Sequence, residues 1–415
     1  MAPPLHNYVT GQVVSANSHA VAYGEIAYRM AFLKAHYPAQ FWAAALSHED
    51  DLTTQLGPAL ASARRQGVVV LPPDIQHSTM DFLSAPGTIR CSLRIVRGIG
   101  EQLGQEILAA RAVRPFDSLE DLLRRVPGVG RRIPLRNLVL CGALDAFPGS
   151  RAAKLARIRL MEQRGTIPPA LFADWDGQGP EDLPEERLQG EWESTGSYLT
   201  GHPAALYRPL LAAAQVRPLA ELENHPVDQD VLVGGVVMEA AVRKSRQSSY
   251  FLLTLSDETA IRQVHLPAAV LGPVSPAQIK GQIWVVEGKR LVRPGSAASI
   301  RLQGQRLVSL DDVVSRLPAV TLFLPAVPSD EQLARLENLQ RSYAGYTHWQ
   351  VHHPAGVWIP SGGLRLSCTT LRALWREFPE SHWSDQPPLF FQNHAEPPSV
   401  LPWGKSPVVP LMPGR

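Results

Sequence analysis

Cysteine is scarce in this chain: three in 415 residues, Cys91, Cys141 and Cys368. They lie far apart and form no C-x-x-C pair. That excludes a disulfide framework or a thiolate zinc site and fits a reducing, cytoplasmic setting. No apolar run approaches the roughly 20 residues needed to cross a bilayer, and no basic segment precedes an apolar one at the N-terminus. Neither a membrane partner nor a secretory leader is therefore expected. What the chain does have is proline, 37 in all, much of it at joints and in the last thirty residues. With a length beyond what one core supports, this points to several small modules.

The net charge of +2 conceals an asymmetry. From Arg90 to Arg164 there are 15 Lys and Arg against 7 Asp and Glu, a balance of +8. From Asp174 to Asp230 there are 3 against 12, a balance of −9. A basic block beside an acidic one fits a nucleic-acid surface followed by a segment held away from it, or simply two solvated surfaces.

Apolar residues at helical spacing (Val21, Ile26, Met30, Phe32, Leu33) predict a helix over 20–36, and Pro38 starts a second one. A third helix, about 52–65, leads to Gly67 and the β-branched run Val68–Leu71, which ends at Pro72-Pro73. The turn Arg97-Gly98-Ile99-Gly100 then precedes a helical stretch, Glu101–Arg111. A short helix, a Gly-hydrophobe-Gly turn and a second helix form the helix-hairpin-helix pattern. Its glycines let backbone approach a phosphate, and the following helix offers unpaired N–H groups. The turn recurs as Gly128-Val129-Gly130, followed by Arg131-Arg132. Two such turns in a basic block fit a tandem grip on the DNA backbone, without sequence reading; two plain helix turns are the alternative.

A Pro/Gly/acid-rich stretch over 166–187 reads as a connector. It leads to Tyr198-Leu199-Thr200-Gly201-His202-Pro203, where His202 lacks an acid–base partner and reads as a turn residue. From Asp230 to Asp312 the pattern becomes five short strands: Val231–Val242, Tyr250–Leu255, Ile261–Leu266, Ile283–Glu287 and Ile300–Val308. A helical piece separates the third from the fourth, the layout of an OB-fold barrel. Arg243, Lys244 and Arg246 occupy its first loop, before Tyr250 and Phe251. Lys289, Arg290 and Arg293 fall in the loop between strands four and five. Cations beside aromatics there suit single-stranded nucleic acid, although the barrel could serve only as a spacer. Residues 318–380 read as strand, helix, strand, helix (Val320–Leu324, Asp330–Arg341, Thr347–Val351, Thr370–Phe378). Beyond Trp383 the chain is Pro-rich and is expected to be unfolded.

The Ser18–Phe41 segment, Val70–Asp74, the Arg97–Gly100 turn, Cys141–Phe147 and Tyr198–Pro203 resemble the C-terminal part of the bacterial DNA polymerase III alpha subunit, a C-family replicative polymerase. The resemblance implies a multidomain α+β chain. Its expected order is a leader (1–17), a helical fingers remnant (18–87), a tandem helix-hairpin-helix DNA-binding domain (88–165) and an acidic connector (166–226). An OB-fold barrel (227–315), a small C-terminal α/β domain (316–383) and a disordered tail (384–415) follow. It also implies DNA, the sliding clamp, a separately encoded catalytic half and other replisome subunits as partners. The family's metal-binding palm aspartates have no counterpart here. Asp228 and Asp230 sit in the wrong module, so no polymerisation, cofactor or metal is expected of this chain alone.

Two short motifs stand near the ends. Gln386, Leu389 and Phe390 match the anchors of a bacterial clamp-binding peptide, in which the amide bonds at a pocket rim and the apolar pair fills a cleft. At the other end, His6–Asn17 followed by Ser18 is similar to the C-terminal splice block of an intein. Asn17 would cyclise and Ser18 accept the acyl group, though Ala16 replaces the usual histidine. A simple leader with a β-hairpin is the alternative. For the chain as a whole, a stand-alone DNA and clamp adaptor in damage tolerance, or a trans-splicing precursor, remain alternatives.

Overall fold

The computed structural model describes residues 11–160, 166–244, 249–271, 275–291 and 301–384. Two compact units emerge, one of Met1–Pro180 with Arg187–Thr200, the other of Glu181–Glu186 with Gly201–Arg415. Among the described residues no helix is long and apolar enough to cross a membrane.

The first unit opens with helix α1 (Gly11–His36). Residues 11–17, expected as part of a splice block or of a leader with a β-hairpin, are helical, and α1 runs unbroken through Asn17 and Ser18. No glycine or proline interrupts Gln12–Tyr23, so nothing stops the helix extending back from its apolar part. At 100° per residue, Val21, Tyr28 and Phe32 fall on one side of α1, and Tyr23, Ile26, Met30 and Leu33 on the other; all seven are exposed. Helices α2 (Pro38–Ser47) and α3 (Leu52–Arg65) follow. A small sheet comes next: β1 (Val69–Leu71), β2 (Leu83–Ala85) and β3 (Thr88–Arg90), in the order β1-β3-β2.

Four further helices complete the hairpin region: α4 (Glu101–Val113), α5 (Leu119–Arg125), α6 (Arg132–Leu140) and α7 (Arg151–Arg159). Ser118 and Ser150 cap α5 and α7, accepting from the Asp121 and Ala153 N–H groups. One core joins this whole region, from Leu60 and Ile75 through Ile89 and Ile107 to Leu122, Leu138 and Phe172. Each such side chain, fully buried, contributes about 1.5–3 kcal/mol.

The expected connector, 166–226, is folded instead. Leu171 and Phe172 join the first core, and helix α8 (Pro184–Thr195) buries Leu188 and Glu191. In the second unit, α9 (Pro203–Leu206) and α10 (Arg208–Ala213) place Tyr207, Leu210 and Leu211 in another core. The acidic composition misleads because carboxylates such as Glu185 and Glu186 occupy the first turn of α8, where the helix dipole favours them.

The second unit continues with β4 (Asp230–Lys244), β5 (Ser249–Ser256) and β6 (Ile261–Pro267). Two short turns of helix, α11 (Ala268–Leu271) and α12 (Pro276–Ile279), lead to β7 (Ile283–Leu291) and β8 (Arg301–Ser309). The strands close a barrel in the order β4-β5-β6-β8-β7, antiparallel except for β6 beside β8. Lys289 and Arg290, expected in a loop, lie inside β7, because pairing to β8 resumes past an irregularity at Glu287/Gly288. Gly288 makes this possible, since a Cβ there would run into the Gln303 carbonyl. The small domain follows: α13 (Leu310–Val314), β9 (Ala319–Phe323), α14 (Asp330–Ser342), β10 (Ala344–His353), β11 (Gly356–Trp358), α15 (Cys368–Glu377) and β12 (His382–Ser384). Its four-stranded sheet has the order β11-β10-β9-β12.

Candidate nucleic-acid interface

The two glycine turns are built into one another. Gly98 has φ of 94°, a region open to glycine at little cost, and a Cβ there would lie 3.0 Å from Ile133 at the start of α6. Reciprocally, a Cβ on Gly128 would lie 2.8 Å from Leu103 of α4. Each turn thus rests on the helix that follows the other.

The turns differ in what they offer an anion. In the first, Gly98 and Gly100 are exposed, and Gly100 is the N-cap of α4. However, Glu101 occupies the first turn of that helix, where its carboxylate competes for the positive end of the dipole. Arg97 is tied down: its N–H donates to the Ser194 carbonyl (2.8 Å), its guanidinium to the Glu193 carbonyl (2.7 Å), and its own carbonyl accepts from Asn137 (2.7 Å). In the second turn Gly130 is buried, its carbonyl accepting from the Ile167 N–H (2.8 Å), so it faces protein rather than solvent. Glu106 Oε2 stands 3.5 Å from where a Gly128 Cβ would be. Arg131 and Arg132 are exposed just beyond, at the head of α6, whose first turn carries no acid.

Much of the basic block is spent inside the fold. Arg125 donates to the Ala110, Arg114 and Pro115 carbonyls and to Asp121, and lies 4.7 Å over the Phe116 ring. Arg111 donates to the Ile75 carbonyl and Arg157 to that of Leu171. Lys154, with no exposed surface, donates to the carbonyls of Phe147 (2.9 Å) and Gly149 (2.5 Å). Arg151, 4% exposed, holds Asp145 and Glu191. The charge count therefore overstates the cationic surface. Such buried cations are stable because carbonyls and carboxylates replace water around them.

Glu191 is the group that sequence reasoning missed. Fully buried, it accepts from the N–H groups of Leu199 (2.8 Å) and Thr200 (2.9 Å), from the Thr200 hydroxyl (2.7 Å) and from Arg151 (3.4 Å). It thereby organises the Leu199–Thr200 backbone, and burial pushes the pKa of the neighbouring Tyr198 hydroxyl up to about 12. In the second unit, His202 Nδ1 accepts from the Ala204 N–H (3.1 Å) as a helix cap, and Nε2 lies 3.2 Å from Ser256 Oγ. An imidazole accepting at Nδ1 carries its proton on Nε2 and donates to the serine. It is a turn residue, not a base.

On the barrel, register sorts the expected residues. Arg243 and Tyr250 form one cross-strand pair, and the Tyr250 ring stacks on His265, 5.4 Å away and tilted by 21°. His265 belongs to an outer row, Ala241–Leu252–His265–Gln303–Lys289, so Lys289 reaches the side on which sequence reasoning wanted a cation. Lys289 also lies 3.9 Å from Asp230. Phe251 packs instead against the barrel core. Arg290 holds the His225 carbonyl (2.5 Å) and is structural. His265 and Gln303 were missed; only strand register, not residue type, could have placed them here. Arg246, Arg293, Gln386, Leu389 and Phe390 lie outside the described residues. Among the described residues no group of histidine, cysteine and carboxylate side chains could hold a metal ion.

A helix-hairpin-helix motif family model matches residues 67–154. The chain is 33% identical over 349 residues to the DNA polymerase III subunit alpha of Thermus aquaticus, covering 79% of this chain and 28% of that one. It is 28% identical over 350 residues to the same subunit of Bacillus subtilis, covering 80% and 31%. An error-prone DNA polymerase of Symbiobacterium thermophilum is 29% identical over 314 residues, covering 63% and 29%. The chain thus spans less than a third of the length of each of these relatives.

Proposed function

From its homology to the C-terminal part of bacterial DNA polymerase III alpha subunits, we propose that this chain is a DNA-binding, clamp-tethering portion of a replicative polymerase, working with a catalytic part encoded elsewhere. The observation that carries the reading is the second glycine turn. There, Arg131 and Arg132 stand exposed at an acid-free helix start, a geometry suited to phosphate oxygens. The first turn supports this grip more through backbone than through Arg97.

The barrel is read as an OB-type module whose outer face, with Arg243 and Tyr250 beside the row of His265 and Lys289, takes single-stranded DNA; strand order and the Tyr250–His265 stack support this. The peptide Gln386-Pro387-Pro388-Leu389-Phe390-Phe391 is read as a sliding-clamp ligand. Duplex binding by the full chain should weaken steeply between low and physiological salt, as counterion release requires. The Arg131→Ala/Arg132→Ala pair should lower the slope of log K against log salt by about 2, about 1 per lost phosphate contact. A flat salt dependence sinks the hairpin reading. Clamp capture that survives Leu389→Ala/Phe390→Ala sinks the tail reading separately.

A further inference from the structure

The small domain carries a surface that neither hairpins nor barrel account for. Its core gathers Leu336 of α14 and Leu371, Leu374 and Trp375 of α15 with Leu322, Val351 and Trp383, so both helices serve one side of the sheet. Side chains alternate along strands, and the register sets Val357, His352, Phe323 and His382 in one row on the opposite side. The Phe323 ring lies 4.8 Å from His352 and 5.4 Å from His382, the latter within 10° of parallel. His382 is exposed, while Phe323 and His352 are partly so. Among the described residues Phe323 packs into none of the hydrophobic cores, an unusual position for a phenyl ring on a central strand. Two residues along on the same side, Gln350, 1% exposed, donates to His352 Nε2 (2.8 Å) and Thr321 Oγ1 (3.2 Å), which pins the imidazole beside the ring.

The four strands contain His348, His352, His353 and His382 and not one Asp or Glu. Phe323 and His352 stand on the two central strands with their planes 59° apart, and His382 stacks on Phe323 from the edge strand β12; such a ring cluster, on strands without carboxylates, suits planar groups that arrive on an anionic backbone. Four-stranded sheets backed by helices use aromatic residues on their central strands to stack bases in this way. We propose that this side of the sheet is a stacking platform for unpaired nucleobases, a third nucleic-acid contact of the chain.

The test is photocrosslinking of the full-length chain to an oligothymidylate carrying 5-iodouracil, with labelled peptides identified by mass spectrometry. Labelling is expected at Phe323, His352 or His382. Phe323→Ala and His382→Ala should remove it, leave labelling elsewhere intact and weaken oligothymidylate binding by about tenfold. His382 is exposed, so its replacement leaves the fold intact and keeps the test decisive. Labelling confined to hairpin and barrel peptides, or unchanged affinity in both variants, overturns this proposal alone. Absence of any oligonucleotide binding overturns it together with the function proposed above.

Discussion

Glu191 and Arg151 show how residues that resemble surface charge in the sequence become internal fixtures. Glu191 sits without exposed surface among four donors. Glu191→Ala should therefore destabilise its unit by about 1–3 kcal/mol or more, the cost of leaving the buried Leu199 and Thr200 donors unpaired while Arg151 keeps Asp145, read as a fall in melting temperature. Asp121 gives a pH signature. Burial alone would raise its carboxyl, but hydrogen bonds from Arg125 and the Asp117 N–H, with the charge of Arg114, hold it below the usual carboxylate range. A depressed value stabilises the fold above the unfolded-state pKa, and that stability is lost as pH falls through the folded-state value. The melting temperature should thus fall more steeply below about pH 4 in the parent than in Asp121→Asn. Burial also pushes Cys91 and Cys141 up to about 12. Both thiols should resist a thiol reagent at about pH 8 until denaturant exposes them. None of this was legible in the sequence, because charge type does not say which cation finds a carbonyl.

The elements themselves were more legible. Periodicity placed α4, β4, β5, β6 and α14 within a few residues, since each carries a strong pattern with clear stop signals, such as the Ser329 capping box before α14. It failed for β7, where the continuation through Gly288 depends on β8 lying alongside. Residues 166–226, expected as an acidic connector, carry α8, α9 and α10 with Leu210 and Leu211 in a core, because acid-rich composition masks apolar residues spaced among the carboxylates. For the hairpins, Gly98→Ala must accept φ of 94° and press on Ile133. A loss of about 1–2 kcal/mol or more is expected by chemical denaturation. Glu106→Gln should tighten duplex binding, because it removes the carboxylate nearest Gly128; unchanged binding would place the duplex away from that turn.

For the whole molecule, net charge is a poor guide to surface. Among the cations of the basic block, Arg111, Arg125, Arg151, Lys154 and Arg157 are bonded within the fold. The salt slope should accordingly reflect a few phosphates rather than the balance of +8 read from sequence. The reciprocal seating of Gly98 on α6 and Gly128 on α4 bears on transplantation. Neither turn is a cassette that can be lifted alone. A chimera exchanging one hairpin with a homologue should fold only if the helix behind the other hairpin travels with it.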